Sequence, residues 1–168
     1  VADKNFLLDY VRHDTDWVVM IDGDEVLTQP DNLVKAISTT ASNGLALPVL
    51  YLWDREDQIR VDGVYADMSR VSAFRPGQAR FEISGAAGFH CGNVPQSIRG
   101  RAIADSPLLH FGYLHREDRV RKFDWYNAQD PSNQHEDRYR HMVIGDVFPA
   151  ESRFRHGGPL QLREIDVR

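Results

Sequence analysis

The spacing of apolar and polar positions changes along the chain, and the changes mark the elements. In Asp3–Val11, Phe6, Leu7, Tyr10 and Val11 recur at i, i+1, i+4 and i+5, which predicts an amphipathic helix with these four residues on one face. Trp17–Ile21 is an unbroken apolar run that stops abruptly in acid at Asp22. It is too short for a helix and predicts a buried strand of a parallel sheet. Pro30 opens a helix to about Ala41 with Leu33, Val34 and Ile37 on one face, and Ser42-Asn43-Gly44 stops it. Leu45–Trp53 reads as a second strand, and Pro48 inside it predicts an edge position or a bulge.

Farther along, Arg55–Asp67 is polar and predicts a loop, whereas Arg70–Phe74 and Ala79–Ile83 predict two more strands. The glycine-containing stretch Ser84–Ala104 predicts a long mobile loop. Pro107–Phe111 is a further apolar run. Arg116–Ala128 and the charged Gln134–Val143 predict helices, with no regular pattern from Gly145 on. Helices and strands alternate at first and strands then cluster, which predicts an α/β class with a mixed sheet flanked by helices.

Composition narrows the function classes. With 42% hydrophobic and 27% charged residues the chain is ordinary globular material, not a disordered one. Its single cysteine, Cys91, excludes a disulfide framework and an all-cysteine zinc site within the chain. A net charge of −5, with no basic run interleaved with aromatics, argues against nucleic-acid binding. No apolar run approaches the roughly 20 residues of a membrane span, and no basic-then-apolar leader is present. A cytoplasmic protein without a transmembrane segment is therefore expected.

The sharpest chemical feature is Asp22-Gly23-Asp24-Glu25, directly after the first apolar run. Carboxylates at the C-terminal end of a strand sit where open α/β sheets bind ligands. Two that converge repel unless a cation lies between them, and Mg²⁺ or Mn²⁺ suits such hard oxygen donors. An EF-hand loop starting at Asp22 fails, because its sixth and twelfth positions are Leu27 and Leu33. A metal-dependent phosphohydrolase of the strand-Asp-x-Asp type stays open, although the downstream lysine and second acidic loop it needs are not evident. A solvated acidic turn also stays open.

The segment Asp16-Trp17-Val18-Val19-Met20-Ile21-Asp22-Gly23-Asp24-Glu25 resembles the "Trp, apolar run, Asp-x-Asp-Glu" segment of family 2 glycosyltransferases with the GT-A fold. A second block, His110-Phe111-Gly112-Tyr113 followed by Arg116-Glu117-Asp118-Arg119 and Lys122, is similar to the "His-Tyr/Phe-Gly-Tyr, basic helix, Lys" block of the same enzymes. Phe89–Pro95 resembles their variable acceptor-side loop. The resemblance implies a partial GT-A fold, with residues 1–144 forming the central and C-terminal part of the catalytic domain and 145–168 an irregular tail. The family's nucleotide-binding βαβ unit would precede Val1, so a fragment of a longer enzyme is expected.

The implied activity is metal-dependent, inverting transfer of a sugar from a nucleotide-sugar donor to a glycan, lipid or protein acceptor. The resemblance makes Asp24 and His110 candidate ligands of Mn²⁺ or Mg²⁺. It makes Asp22, Arg119 and Lys122 candidate donor or diphosphate contacts, and His90 a candidate acceptor-side residue. Trp53 and Tyr51, at a strand end beside a polar loop, are candidates for stacking on an acceptor sugar. The acceptor hydroxyl needs a base, for which Asp67, Glu82 and Glu117 are the candidates. The alternative class is a non-catalytic binding or structural domain that retains a GT-A half-fold. Core packing for Trp53 and i,i+4 ion pairing of Lys122 with Asp118 are the competing fates of those residues.

Overall fold

The computed structural model describes residues 2–82, 93–100, 102–130 and 136–166. The elements in chain order are α1 (Ala2–Val11), β1 (Val18–Val19), β2 (Glu25–Leu27), α2 (Pro30–Thr39), β3 (Gly44–Trp53), β4 (Arg55–Arg60), β5 (Ser69–Phe74), β6 (Ala102–Ile103), β7 (Leu108–His110), α3 (Arg116–Gln129) and β8 (Leu162–Glu164). Two 3₁₀ turns, Gly63–Tyr65 and Glu136–Val143, complete the set. The class is mixed α/β, as expected, and no helix among the described residues is long and apolar enough to cross a membrane. The chain divides into two compact units, and the boundary in β3 falls after Pro48.

The first unit comprises residues 1–23, 27–48 and 69–107. In it β5 pairs antiparallel with β1 (Val18 opposite Phe74) and with the first half of β3 (Leu45 opposite Ala73), while β6 runs parallel to β3. The first apolar run is thus an antiparallel strand of only two residues, not a parallel one. Leu8, Phe74, Phe81 and Ile98 form the core, with Val18, Met20, Val71, Ala79 and Val94 packed on it. In α1 the buried residue is Leu8, whereas Phe6, Leu7 and Tyr10 are exposed, so the inward face is rotated from the predicted one. Ala79–Glu82 forms no strand. Instead Phe81 is fixed by a side chain: its N–H donates to Asn5 Oδ1 at 2.8 Å and its carbonyl accepts from Asn5 Nδ2 at 3.0 Å.

The second unit comprises residues 24–26, 49–68 and 108–168. Here the second half of β3 runs parallel to β7 (Tyr51 opposite His110) and antiparallel to β4, and β4 pairs antiparallel with β8. Pro48 is therefore not on an edge strand. It lies where β3 leaves β5 (Pro48 opposite Ser69), and pairing with β7 begins one residue later, at Val49. A residue without an N–H fits such a break in the ladder. The expected loop at Arg55–Asp67 begins as β4, whose Arg55 and Glu56 are exposed and whose Ile59 and Arg60 are buried. The expected irregular tail contains β8, and its Gly158 and Gln161 N–H groups donate to the buried Asp62 carboxylate.

Trp53 is 1% exposed and lies between two guanidinium groups, Arg60 at 4.6 Å and Arg119 at 4.4 Å from its ring. This placement corrects the acceptor-side expectation, because a tryptophan enclosed in the core cannot stack on a sugar. Arg60 forms a buried two-point pair with Asp62 at 2.8 and 2.7 Å. Burial pushes the Asp62 carboxyl up, but the Arg60 hydrogen bonds and the two N–H donors outweigh it and hold the group below its ordinary value.

Candidate functional site

Asp24, His110 and Lys122 meet in the second unit, and short-range pairing explains why. Asp24 sits in the turn that enters β2, and β2 pairs with β7, which ends at His110. The Asp24 carbonyl accepts from the Phe111 N–H at 2.8 Å, closing the ladder at this point. Asp24 thus begins a strand where the sequence placed it at the end of one. Lys122 comes from the second turn of α3, which starts six residues after His110.

The distances define a small charged cleft. Lys122 Nζ is 3.5 Å and His110 Nε2 is 3.9 Å from Asp24 Oδ2. Lys122 also lies over the Tyr113 ring at 4.8 Å. The His110 ring is stacked on Tyr113 (5.2 Å, 16°) and tilted against Tyr51 (5.0 Å, 36°), so its orientation is fixed by packing. A cleft of about 300 Å³ opens over Asp24 and Lys122, with His110 behind its wall rather than lining it. Besides Asp24 and Lys122, its walls include Gly112, His115, Asp118 and Arg121. At Gly112 an added Cβ would overlap Asp24 Oδ2, Lys122 Nζ and His110 Cε1. Only a residue without a side chain lets the three groups approach one another.

The electrostatics follow from burial and from Asp24. Burial first, and then the Asp24 charge, raise the Tyr126 phenol above its ordinary range. Tyr113 is raised further, by burial and then by Tyr65, Tyr126, Tyr51 and Asp24. Both phenols keep their protons and do not serve as bases.

The other sequence candidates do not join this cleft. Arg119, expected on a diphosphate, is 1% exposed and bound to Asp54 and Asp146 at 2.6 Å each. Its guanidinium is fully engaged inside the protein, which corrects that expectation. Among the base candidates, Asp67 and Glu117 are exposed in the second unit and Glu82 is exposed in the first, and none of them lines the cleft. Asp22 belongs to the first unit, where Arg70 Nη1 and Asn93 Nδ2 lie 3.4 and 3.5 Å from its Oδ2. His90 lies outside the described residues, as do residues 84–92 of the predicted mobile loop.

A metal held by Asp24 and His110 together meets a difficulty. The Gly112 N–H donates to His110 Nδ1 at 3.0 Å, so Nδ1 carries the lone pair and the ring proton sits on Nε2, the nitrogen that faces Asp24. A protonated nitrogen cannot ligate a metal. Asp24 is a suitable hard oxygen donor by itself. Among the described residues no group of three or more His, Cys, Asp or Glu side chains is arranged to hold a metal.

Sequence reasoning read His115 as a surface residue and took Gly112 and Tyr113 only as parts of a motif, without the close approach that Gly112 permits. The signal was present in His110-Phe111-Gly112-Tyr113, where a glycine set between two aromatic residues marks the close approach. Compared with family models, curated proteins and solved structures, the chain matches none of them.

Proposed function

We propose that this chain is part of a metal-dependent, inverting glycosyltransferase of GT-A type, acting on a nucleotide-sugar donor. The observation that carries the reading is the convergence of Asp24, His110 and Lys122 over Gly112. The residues come from both sequence blocks that resemble family 2 glycosyltransferases, and they are far apart along the chain. Lys122 is a donor to diphosphate oxygens, where charge-assisted hydrogen bonds are strong, and the His110 Nε2–H is presented toward Asp24. Asp24 is the residue that would hold Mg²⁺ or Mn²⁺, with diphosphate oxygens and water completing the shell. Such an ion supplies Lewis-acid stabilisation of the leaving diphosphate.

In the reaction the acceptor oxygen bonds to the anomeric carbon as the bond from that carbon to the diphosphate breaks. The nucleoside diphosphate leaves with the electron pair, and the acceptor proton goes to a base. Asp118 is paired with Arg121 at 2.7 Å, which favours the cleft-lining His115 for that proton. Calorimetric titration with a nucleoside diphosphate and Mn²⁺ tests the reading. Asp24→Ala and Lys122→Met are each expected to bind roughly tenfold or more weakly, as for the loss of a hydrogen bond to a charged group. Equal binding by the wild type and both variants overturns it. Binding without turnover of nucleotide-sugar donors by the full-length protein supports the binding-domain alternative instead.

A further inference from the structure

The turn between β7 and α3 is held by a buried arginine that the proposed reaction does not use. All five N–H donors of Arg119 are engaged. Nε donates to Asp146 Oδ2 at 2.6 Å, and Nη2 to Asp146 Oδ1 at 2.9 Å and Asp54 Oδ1 at 2.6 Å. Nη1 donates to the carbonyls of Tyr113 at 2.7 Å and Leu114 at 2.9 Å. Its plane faces Trp53. Asp54 is tied twice, since its own N–H donates to the Leu114 carbonyl at 2.9 Å. It also adopts φ 63°, a left-handed conformation that few residues other than glycine accept. A left-handed aspartate persists where its surroundings over-determine it.

These bonds fix two successive carbonyls of the turn. Immediately before them, the Gly112 N–H points at His110 Nδ1. The direction of that N–H decides which imidazole nitrogen carries the proton, because an accepting nitrogen must present a lone pair.

We propose that Arg119, braced by Asp54 and Asp146, is a positioning residue that holds the Tyr113–Leu114 turn so that His110 stays in its Nε2–H tautomer. His110 is thereby committed to presenting an N–H toward Asp24. The proposal deepens the reading above and rests on the same cleft, but it can be tested with no ligand present. Lysine at position 119 keeps the charge but not the planar five-donor fork.

The test is the nitrogen spectrum of His110 in the ¹⁵N-labelled protein, assigned by comparison with His110→Gln. In the wild type the two ring nitrogens are expected to be widely separated, in the Nε2–H pattern. In Arg119→Lys and Asp54→Ala the separation is expected to narrow as the second tautomer is populated, whereas Arg163→Lys, an exposed remote control, leaves it unchanged. If Arg119→Lys does not fold, Asp54→Ala decides, because it removes one of the five bonds through a half-exposed carboxylate. A wild-type Nδ1–H pattern overturns the proposal. So does an unchanged Nε2–H pattern in Asp54→Ala and in any folded Arg119 variant. Failure of the wild type to bind nucleoside diphosphate would overturn the transferase reading and leave the nitrogen result standing.

Discussion

Both units bury an apolar cluster, Leu52, Ile59, Leu109 and Leu114 in the second, but the second buries ions beside its own. In the first, Leu8, Phe74, Phe81 and Ile98 pack by apolar contact, and an apolar cavity of about 240 Å³ opens among Leu7, Leu8, Val11, Val18, Phe74 and Phe81. In the second, the largest buried groups are Trp53, Arg60 and Arg119. Two guanidiniums enclose one indole, and buried carboxylates accept from both. Apolar packing is non-directional and tolerates rearrangement, whereas a buried ionic lattice is unforgiving: removing one partner strands the other. The charged cleft is attached to the unforgiving core. The turn beside Asp24, His110 and Lys122 is held by directional bonds from Arg119 to the Tyr113 and Leu114 carbonyls, while the His110 ring itself is held by packing on Tyr113 and Tyr51.

The largest expected break of this contrast is Arg60→Met. It leaves Asp62 buried without its partner, at a cost of about 3–5 kcal/mol, read as loss of amide protection in the second unit. Phe74→Ala is expected to cost about 3–4 kcal/mol through a cavity, with the greatest loss of protection in the first unit. Equal effects of both variants on both units would erase the distinction. The pH dependence sharpens it further. The Asp62 carboxyl is held below its ordinary value, so its contribution to stability is present above the unfolded-state pKa of about 4 and is lost as pH falls through the lower folded value. Asp62→Asn should therefore flatten the acid limb of unfolding by this contribution, measured by urea titration between about pH 2 and 5. Gly112→Ala is expected to cost about 1–3 kcal/mol by overpacking and to weaken nucleoside diphosphate binding, which calorimetry will read. Arg80→Ala, which removes an exposed pair with Asp9, should change stability by less than about 1 kcal/mol in the same urea titration.

The elements with a strong apolar period were legible. The helical spans of α1, α2 and α3 and the strands β3, β5 and β7 lie where the pattern put them, although the faces that α1 and α3 bury, through Leu8 and Arg119, are not the ones the pattern pointed to. The polar strand β4 and the tail strand β8 were not legible. Their stability comes from pairing with each other, which a local window cannot register. The approach of Asp24 to His110 was expected from the two motif blocks. The inward turn of Arg119 was hidden, because its neighbours Arg116 and Arg121 are exposed and the helix reads as a charged outer face. Arg119 is buried through Asp54, Asp146 and Trp53, all remote in sequence or across a turn. Tertiary partners of this kind leave no periodic trace.

The tryptophans give the protein a set of built-in optical reporters. Trp53, enclosed by two cations in the second unit, should emit at short wavelength and be insensitive to iodide. Trp125, half exposed on α3, should be quenched readily. Trp17, half-buried beneath Arg75, reports on the first unit. Replacing two of the three with phenylalanine in turn would yield proteins in which the emission spectrum follows the ionic core, the edge of the first unit or the outer surface of α3 separately, with no added dye.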